Sequence, residues 1–299
     1  MQSDKLKHYF HLHVLVLIAG FTAILGELIS IGSLALVWYR MLIAVVLMIG
    51  FVKLSKTSLK MRPKQVFKFA IAGIIIALHW ITFFESINQA NVSIALAMFS
   101  SGAFFASFLE PLFFKRKMYW QEILLGIVVI LGVFLITKGE LRYINGILLG
   151  LSSALFSSLF SVINGRFIET HKASVISVYE FVSGTLFLSL FIVLFGNGFD
   201  LEFFQLSSSD WIYIFILASV CTAYAFIAAV HVMKYISPFS VILSYNLEPV
   251  YGIVLALILF PEKEQMSVSF YIGAVVVLLA IVIDAVLKKR LSKQNEALL

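Results

Sequence analysis

A chain of 299 residues that is 61% hydrophobic and only 13% charged has too few polar side chains to cover a soluble surface, since soluble domains carry roughly twice that charged fraction. With a mean hydropathy of +1.02, most of its surface is solvated by lipid. The net charge of +6 does not point to nucleic acid, because the basic residues lie in short patches between apolar runs, which is how a membrane protein marks its cytoplasmic side.

A spanning helix needs about 20 mostly apolar residues, and ten such runs follow one another along the chain. The first, 11–29, follows Lys5 and Lys7. It is longer than a signal-peptide core and no clear cleavage site follows, so it is expected to be retained. His8, His11 and His13 have loosely ligand-like spacing but read as interfacial polar residues, and no metal site is expected. Glu27 closes this run near the surface. The second run, 33–52, contains Tyr39-Arg40 and leads into a basic link with Lys53, Lys56, Lys60, Arg62, Lys64 and Lys68.

The third run, 67–87, places His79 and Trp80 in its far half and Glu85 near its end. The fourth, 92–114, has Ser93, Ser100, Ser107 and Glu110 along it, with Ala97 and Ala103 between. Lys115, Arg116 and Lys117 follow. The fifth run is 119–137, and Lys138 and Arg142 separate it from the sixth, 143–165, where Gly146, Gly150, Ser153 and Ser157 read as a close-packing ridge. The seventh, 173–195, carries Tyr179-Glu180, and the loop after it holds Asp200, Glu202 and Asp210 without a cation. The eighth, 210–231, contains Cys221, the single cysteine, which excludes an intrachain disulfide. In the ninth, 237–260, Ser240, Ser244, Glu248 and Tyr251 recur at helical spacing as one polar stripe. Lys263 precedes the tenth, 267–287, and a basic tail ends the chain. Trp120 and Trp211 open runs at the interface as belt anchors.

The connections alternate in charge. With the N-terminus inside, 18 of the 22 Lys and Arg fall on the inner side, Lys138, Arg142 and Lys263 fall outside, and Arg40 lies within a span. That split supports ten spans with both termini cytoplasmic. The halves also resemble each other: Leu125-Gly126-Ile127-Val128-Val129 matches Ile272-Gly273-Ala274-Val275-Val276, and Tyr39-Arg40 matches Tyr179-Glu180. Five helices per half is an odd number, so the second half enters the membrane in the opposite sense. The predicted fold is therefore an all-α membrane protein of ten transmembrane helices in two inverted five-helix repeats, 1–140 and 141–299. This is the usual construction of alternating-access carriers, with the solute site near the midplane.

Arg40-Met41-Leu42-Ile43-Ala44, Leu78-His79-Trp80 with Phe83-Phe84, Leu247-Glu248-Pro249, Pro261-Glu262 and Gly273 resemble the EamA branch of the drug/metabolite transporter superfamily, over about residues 10–287. The resemblance implies ten helices in two inverted repeats around a central cavity, and transport of amino acids, drugs or other metabolites, mostly outward. Two features depart from the family pattern. Where the repeat calls for a proline matching Pro249, the chain has Gly102, and Leu109-Glu110-Pro111 comes eight or nine residues too late. Lys115 also replaces the family's glutamate after helix four. Glu110 and Glu248 are therefore not symmetry mates.

Catalytic motifs are absent: there is no phosphate loop, Cys pair, His-Glu-x-x-His or nucleophile elbow, so neither an enzyme nor a cofactor is expected. The informative groups are the intramembrane charges. Arg40, Glu180 and Glu248 facing lipid would together cost on the order of 8–10 kcal/mol, so they face an interior, pair with one another or are protonated. The expected solute-binding residues are His79, Trp80, Ser100, Ser244, Glu248, Tyr251 and Arg40, the last as an anchor for an anionic group. The candidates for proton coupling are Glu248, Glu180 and Glu110. Tight packing through small residues around a structural carboxylate is the competing reading of both polar stripes.

The function expected is a secondary transporter of a small metabolite (an amino acid, drug-like or other amphipathic solute), exporting it by alternating access across the plasma or inner membrane. An importer or exchanger of an anionic metabolite and a non-transporting scaffold are the alternatives. The partners expected are the solute and the lipid bilayer, without nucleic acid, for a monomer or homodimer.

Overall fold

A computed structural model describes residues 2–115, 118, 120–232, 235, 244–245 and 247–296. The described residues are helical throughout, with no strand among them. The helices are α1 (Gln2–Leu28), α2 (Ser33–Leu54), α3 (Pro63–Gln89), α4 (Val92–Phe99), α5 (Gly102–Phe114), α6 (Trp120–Gly139), α7 (Ile144–Phe167), α8 (Ala173–Phe195), α9 (Ser208–Ala218), α10 (Ala225–Val232), α11 (Glu248–Leu259) and α12 (Val268–Glu296). Seven helical runs among the described residues are long and apolar enough to cross a membrane, and two shorter apolar helices, Glu248–Leu259 and Val268–Ile283, accompany them.

Local chemistry sets the ends. Pro63 opens α3, where a missing N–H costs nothing. The Asn91 side chain accepts from the Ile94 N–H to cap α4, and Ser207 accepts from the Asp210 N–H to cap α9. The fourth predicted span is split at Ser100–Ser101. There the Ser101 N–H bonds to the Met98 carbonyl, and both hydroxyls turn back onto their own helix, Ser100 to the Leu96 carbonyl at 3.0 Å and Ser101 to the Met98 carbonyl at 2.6 Å. Serines that bond to their own backbone loosen a helix, and the expected single stripe through 93–110 is broken at that point. The eighth span is interrupted too, by a π-turn over Ser219–Tyr224. In the ninth, Ser244 and Tyr245 are helical and a continuous helix runs from Glu248 onward, with Pro249 in its first turn; Ser240 lies outside the described residues.

Small residues bring the helices close. A Cβ on Gly73 of α3 would fall onto the Glu180 carbonyl oxygen and the Ser183 hydroxyl of α8, and one on Gly20 of α1 would lie 3.0 Å from the Gly252 nitrogen and 3.1 Å from the Glu248 carbonyl oxygen of α11. The ridge on α7 packs as expected at Gly146 against Ala90 and at Gly150 against Met98 and Ser86.

The two halves hold each other reciprocally. Tyr39 of α2 donates to the Phe203 carbonyl, in the link between α8 and α9, at 3.0 Å. Tyr179 of α8 donates to the Leu59 carbonyl, in the link between α2 and α3. Each tyrosine thus fastens the corresponding link of the opposite half.

The two ends of the bundle are closed by different chemistry. At one end Lys263 Nζ meets Glu27 Oε1 at 2.6 Å. Here Glu264 accepts from the N–H groups of Val92 and Ser93 at 3.0 and 2.9 Å, and Glu140 accepts from the Ser267 N–H at 2.6 Å. Burial pushes the Glu264 carboxyl above its ordinary range, against the opposing pull of the Ser93 and Val92 bonds. Glu85 accepts from Ser33 Oγ and the Gln89 amide, so neither Glu27 nor Glu85 is merely solvated. At the other end Arg166 Nη2 donates to the Phe113 carbonyl at 2.6 Å. There the three N-terminal histidines each meet a tyrosine: His8 stacks on Tyr235 at 3.8 Å, His11 Nε2 lies 2.9 Å from Tyr224 Oη, and His13 Nδ1 lies 3.1 Å from Tyr251 Oη. No group of three or more potential metal ligands occurs among the described residues.

Candidate functional site

The chemistry concentrates where α2, α3, the π-turn and α11 approach one another. Arg40 is 3% exposed. Its Nε donates to Thr222 Oγ1 at 2.9 Å, and its guanidinium carbon lies 4.0 Å from the centre of the Trp80 ring and 5.7 Å from that of Phe84, a cation–π sandwich edge. The π-turn supports the contact. Thr222 Oγ1 donates to the Leu217 carbonyl, five residues back, at 2.8 Å, which an uninterrupted α-helix would not present in this way. Such widened turns are frequent at functional sites. Among the described residues no hydrogen-bond acceptor meets Arg40 Nη1, although that atom is buried.

Glu248, the first residue of α11, is half-buried and lies within electrostatic range of Arg40, as does Cys221. It forms no ion pair with Arg40 within 4 Å. Tyr245 is also within range of Glu248. Ser244 and Tyr251, a turn to either side, are half-buried, and Tyr251 spends its hydroxyl on His13.

His79 lies within range of Arg40, but its ring bridges α3 and α7: Nδ1 lies 3.0 Å from the Ser153 carbonyl oxygen and 2.9 Å from Ser153 Oγ, and the ring stacks on Phe99 at 5.4 Å. Trp80, next to it, faces Arg40 and is half-buried. Ser100 is buried and bonded to its own helix. Glu180 is 1% exposed, its Oε1 has no partner among the described residues, and the Asn164 side chain lies within hydrogen-bonding reach of the carboxyl. Glu110 sits half-buried on α5.

Of the residues expected from sequence, Arg40, Trp80, Glu248 and the edge of His79 thus converge, while Ser100, Glu180 and Glu110 belong to other contacts. Thr222 was not singled out from sequence. Its only signal is a hydroxyl in an apolar run, and the π-turn that aims it has no mark in hydrophobic periodicity. An opening of about 630 Å³ lies elsewhere, at the end lined by Glu27, Asn88, Asn91, Arg142, Glu262 and Lys263. Convergent buried charge, rather than volume, marks this cluster as the candidate site, because a polar surface hollow requires no special chemistry.

Seven long apolar helical runs with buried charges between them are those of a multi-pass α-helical membrane protein, and its family is that of drug/metabolite-type membrane transporters. The chain belongs to the EamA-like transporter family, whose model matches it twice in succession, over residues 7–138 and 144–284. A solved chain described only as "Crystal structure of protein" superposes with a TM-score of 0.64 at 14% identity, covering 95% of this chain and 99% of its own length. At that identity the likeness speaks for the fold alone. No curated protein matches the chain.

Proposed function

We propose that the chain is an alternating-access exporter of a small metabolite in the plasma or inner membrane, built of ten spans in two inverted halves, 1–140 and 141–299, with both termini cytoplasmic. The Glu27–Lys263 end is then outward and the Leu59 end inward. The observation that carries this reading is a buried cation from the first half, Arg40, within electrostatic range of a half-buried carboxylate from the second, Glu248. A charge inside the membrane is costly unless it serves a pathway or a partner. Here the two charges come from different halves, so motion between the halves changes what each of them meets.

In this reading Arg40, Trp80, His79, Ser244 and Tyr251 surround the solute, with Ser100 bordering them. Glu248 carries the coupling proton, releasing and regaining it as access alternates, and Glu180 and Glu110 are secondary candidates. Counterflow in proteoliposomes across a metabolite panel tests transport and substrate together. Glu248→Gln keeps the shape of the neutral acid but cannot release a proton. It is expected to exchange solute and to lose accumulation against a gradient. Uphill transport that survives with unchanged pH dependence would make Glu248 structural.

A further inference from the structure

The buried Arg40 has one donor atom, Nη1, that meets no acceptor among the described residues. Its guanidinium presents five N–H donors. Thr222 takes Nε, Trp80 covers one face, and the buried Nη1 has no acceptor among the described residues. The carboxylate in range, Glu248, lies on a helix whose backbone is seated tightly on α1: a Cβ on Gly20 would lie 3.0–3.1 Å from the Gly252 nitrogen and the Glu248 carbonyl oxygen. The cation thus keeps one buried donor, Nη1, that no acceptor among the described residues meets.

The occupant of the edge that carries Nη1 follows from the donor. A guanidinium stacked on an aromatic ring has its plane fixed and its in-plane edges free, and it pairs best with a planar group bearing two oxygens. A cationic solute is repelled there, and a neutral amide offers one weaker acceptor. The side chains around the guanidinium, Trp80 and Phe84, are aromatic and suit an apolar body behind the anionic head. We infer that the solute is an organic monocarboxylate whose carboxylate docks on the free edge of Arg40, with Thr222 as the residue that positions the guanidinium. This rests on the transport reading and narrows its substrate class.

The test uses the full-length chain purified in detergent and four probes at matched ionic strength, sodium benzoate and sodium phenylacetate against benzamide and phenylacetamide. Thermal unfolding of the wild type is expected to shift upward with the two carboxylates and not with the amides. Arg40→Gln is expected to abolish the shift. Because that variant removes a buried charge and can fail to fold, Thr222→Val serves as the second: it keeps the charge and releases Nε, and is expected to weaken the apparent carboxylate affinity about tenfold, equivalent to about 1.4 kcal/mol. Equal shifts with acids and amides, no shift with either, or a Thr222→Val response identical to wild type would each overturn the assignment. The two readings fail separately. A carboxylate shift without counterflow of any solute leaves the docking site standing and removes transport. Counterflow of amines or neutral solutes without a carboxylate shift leaves transport standing and removes the docking site.

Discussion

Tyr39-Arg40 on α2 and Tyr179-Glu180 on α8 occupy the same slot in the two repeats, and they have been put to different uses. The tyrosines do the same work: each reaches the link after the matching helix of the other half and donates to a backbone carbonyl there. The charges beside them have diverged. Arg40 is clasped by Thr222 and Trp80 and faces Glu248, whereas Glu180 sits over the close contact of its own main chain with Gly73. Both are almost fully buried, and each leaves one polar atom without a partner among the described residues. The matched tyrosines make the same kind of contact across the halves, whereas the neighbouring position carries a different charge with different partners, which is why the tyrosine reads as structural and the charge beside it as informative.

The comparison breaks most readily at Gly73, because there the α8 backbone beside Glu180 lies directly against α3. Gly73→Val forces the helices apart and is expected to cost about 3 kcal/mol, the upper part of the overpacking range, read as a large drop in the unfolding temperature of the detergent-solubilised protein or as lost expression. Gly50, also in a helix, has nothing within 4 Å of its missing Cβ; Gly50→Ala is expected to be neutral or stabilising by up to about 1 kcal/mol. Equal behaviour of the two variants would mean that the close α3–α8 contact is not what holds Glu180 in place.

The tyrosines sharpen the comparison. Tyr39→Phe and Tyr179→Phe each remove one hydrogen bond to a carbonyl, worth about 1 kcal/mol. The two contacts involve separate links, so the double variant is expected to show the sum of the singles. A loss confined to one tyrosine would mean that the halves are held unequally.

The smallest effect is expected at the end that carries Lys263. The hydrogen bond and charge of Glu27 raise the Lys263 ammonium above its ordinary value. A raised folded-state value gives stability that is fully present below about pH 10.4 and is lost as pH rises through the raised value. The lysine is largely exposed, and surface pairs of this kind are worth about 0.2–1 kcal/mol. Lys263→Met is therefore expected to cost the same small amount from pH 6 to 9 and nothing in about 1 M salt, where screening acts within about 3 Å. A cost that grows toward pH 9 would contradict the assignment.

Much of this arrangement is legible in the sequence, and the part that is not has a physical reason. Apolar run length anticipates the seven long helical runs and two shorter apolar helices of the described residues, and repeated motifs pair Tyr39-Arg40 with Tyr179-Glu180, because lipid makes length and composition nearly sufficient. The cost of burying charge picks out Arg40, Glu180 and Glu248 without any structure. Periodicity does not reveal that Ser100 and Ser101 turn their hydroxyls onto their own helix and split the fourth span, since a serine facing a cavity and one facing its own carbonyl have the same spacing. The π-turn escapes for a similar reason: one extra residue per turn leaves an apolar run looking unchanged, so the Thr222 contact with Arg40 emerges only in three dimensions. The three histidines were placed at the interface by position, but their tyrosine partners lie more than two hundred residues away in sequence, beyond the reach of any local signal.

The inversion of the two halves is the claim on which the rest depends, and it is tested most directly by the sidedness of the two links that the tyrosines fasten. Ser58 and Glu202 are exposed on those links, between α2 and α3 and between α8 and α9. With Cys221 replaced by serine, Ser58→Cys and Glu202→Cys would be labelled separately by a membrane-impermeant maleimide in intact cells and again after permeabilisation. Inverted halves predict that the cysteine at 202 reacts in intact cells and that the one at 58 reacts only once the membrane is opened. Labelling of both positions from the same side would contradict the inverted repeat, and with it the alternating-access reading.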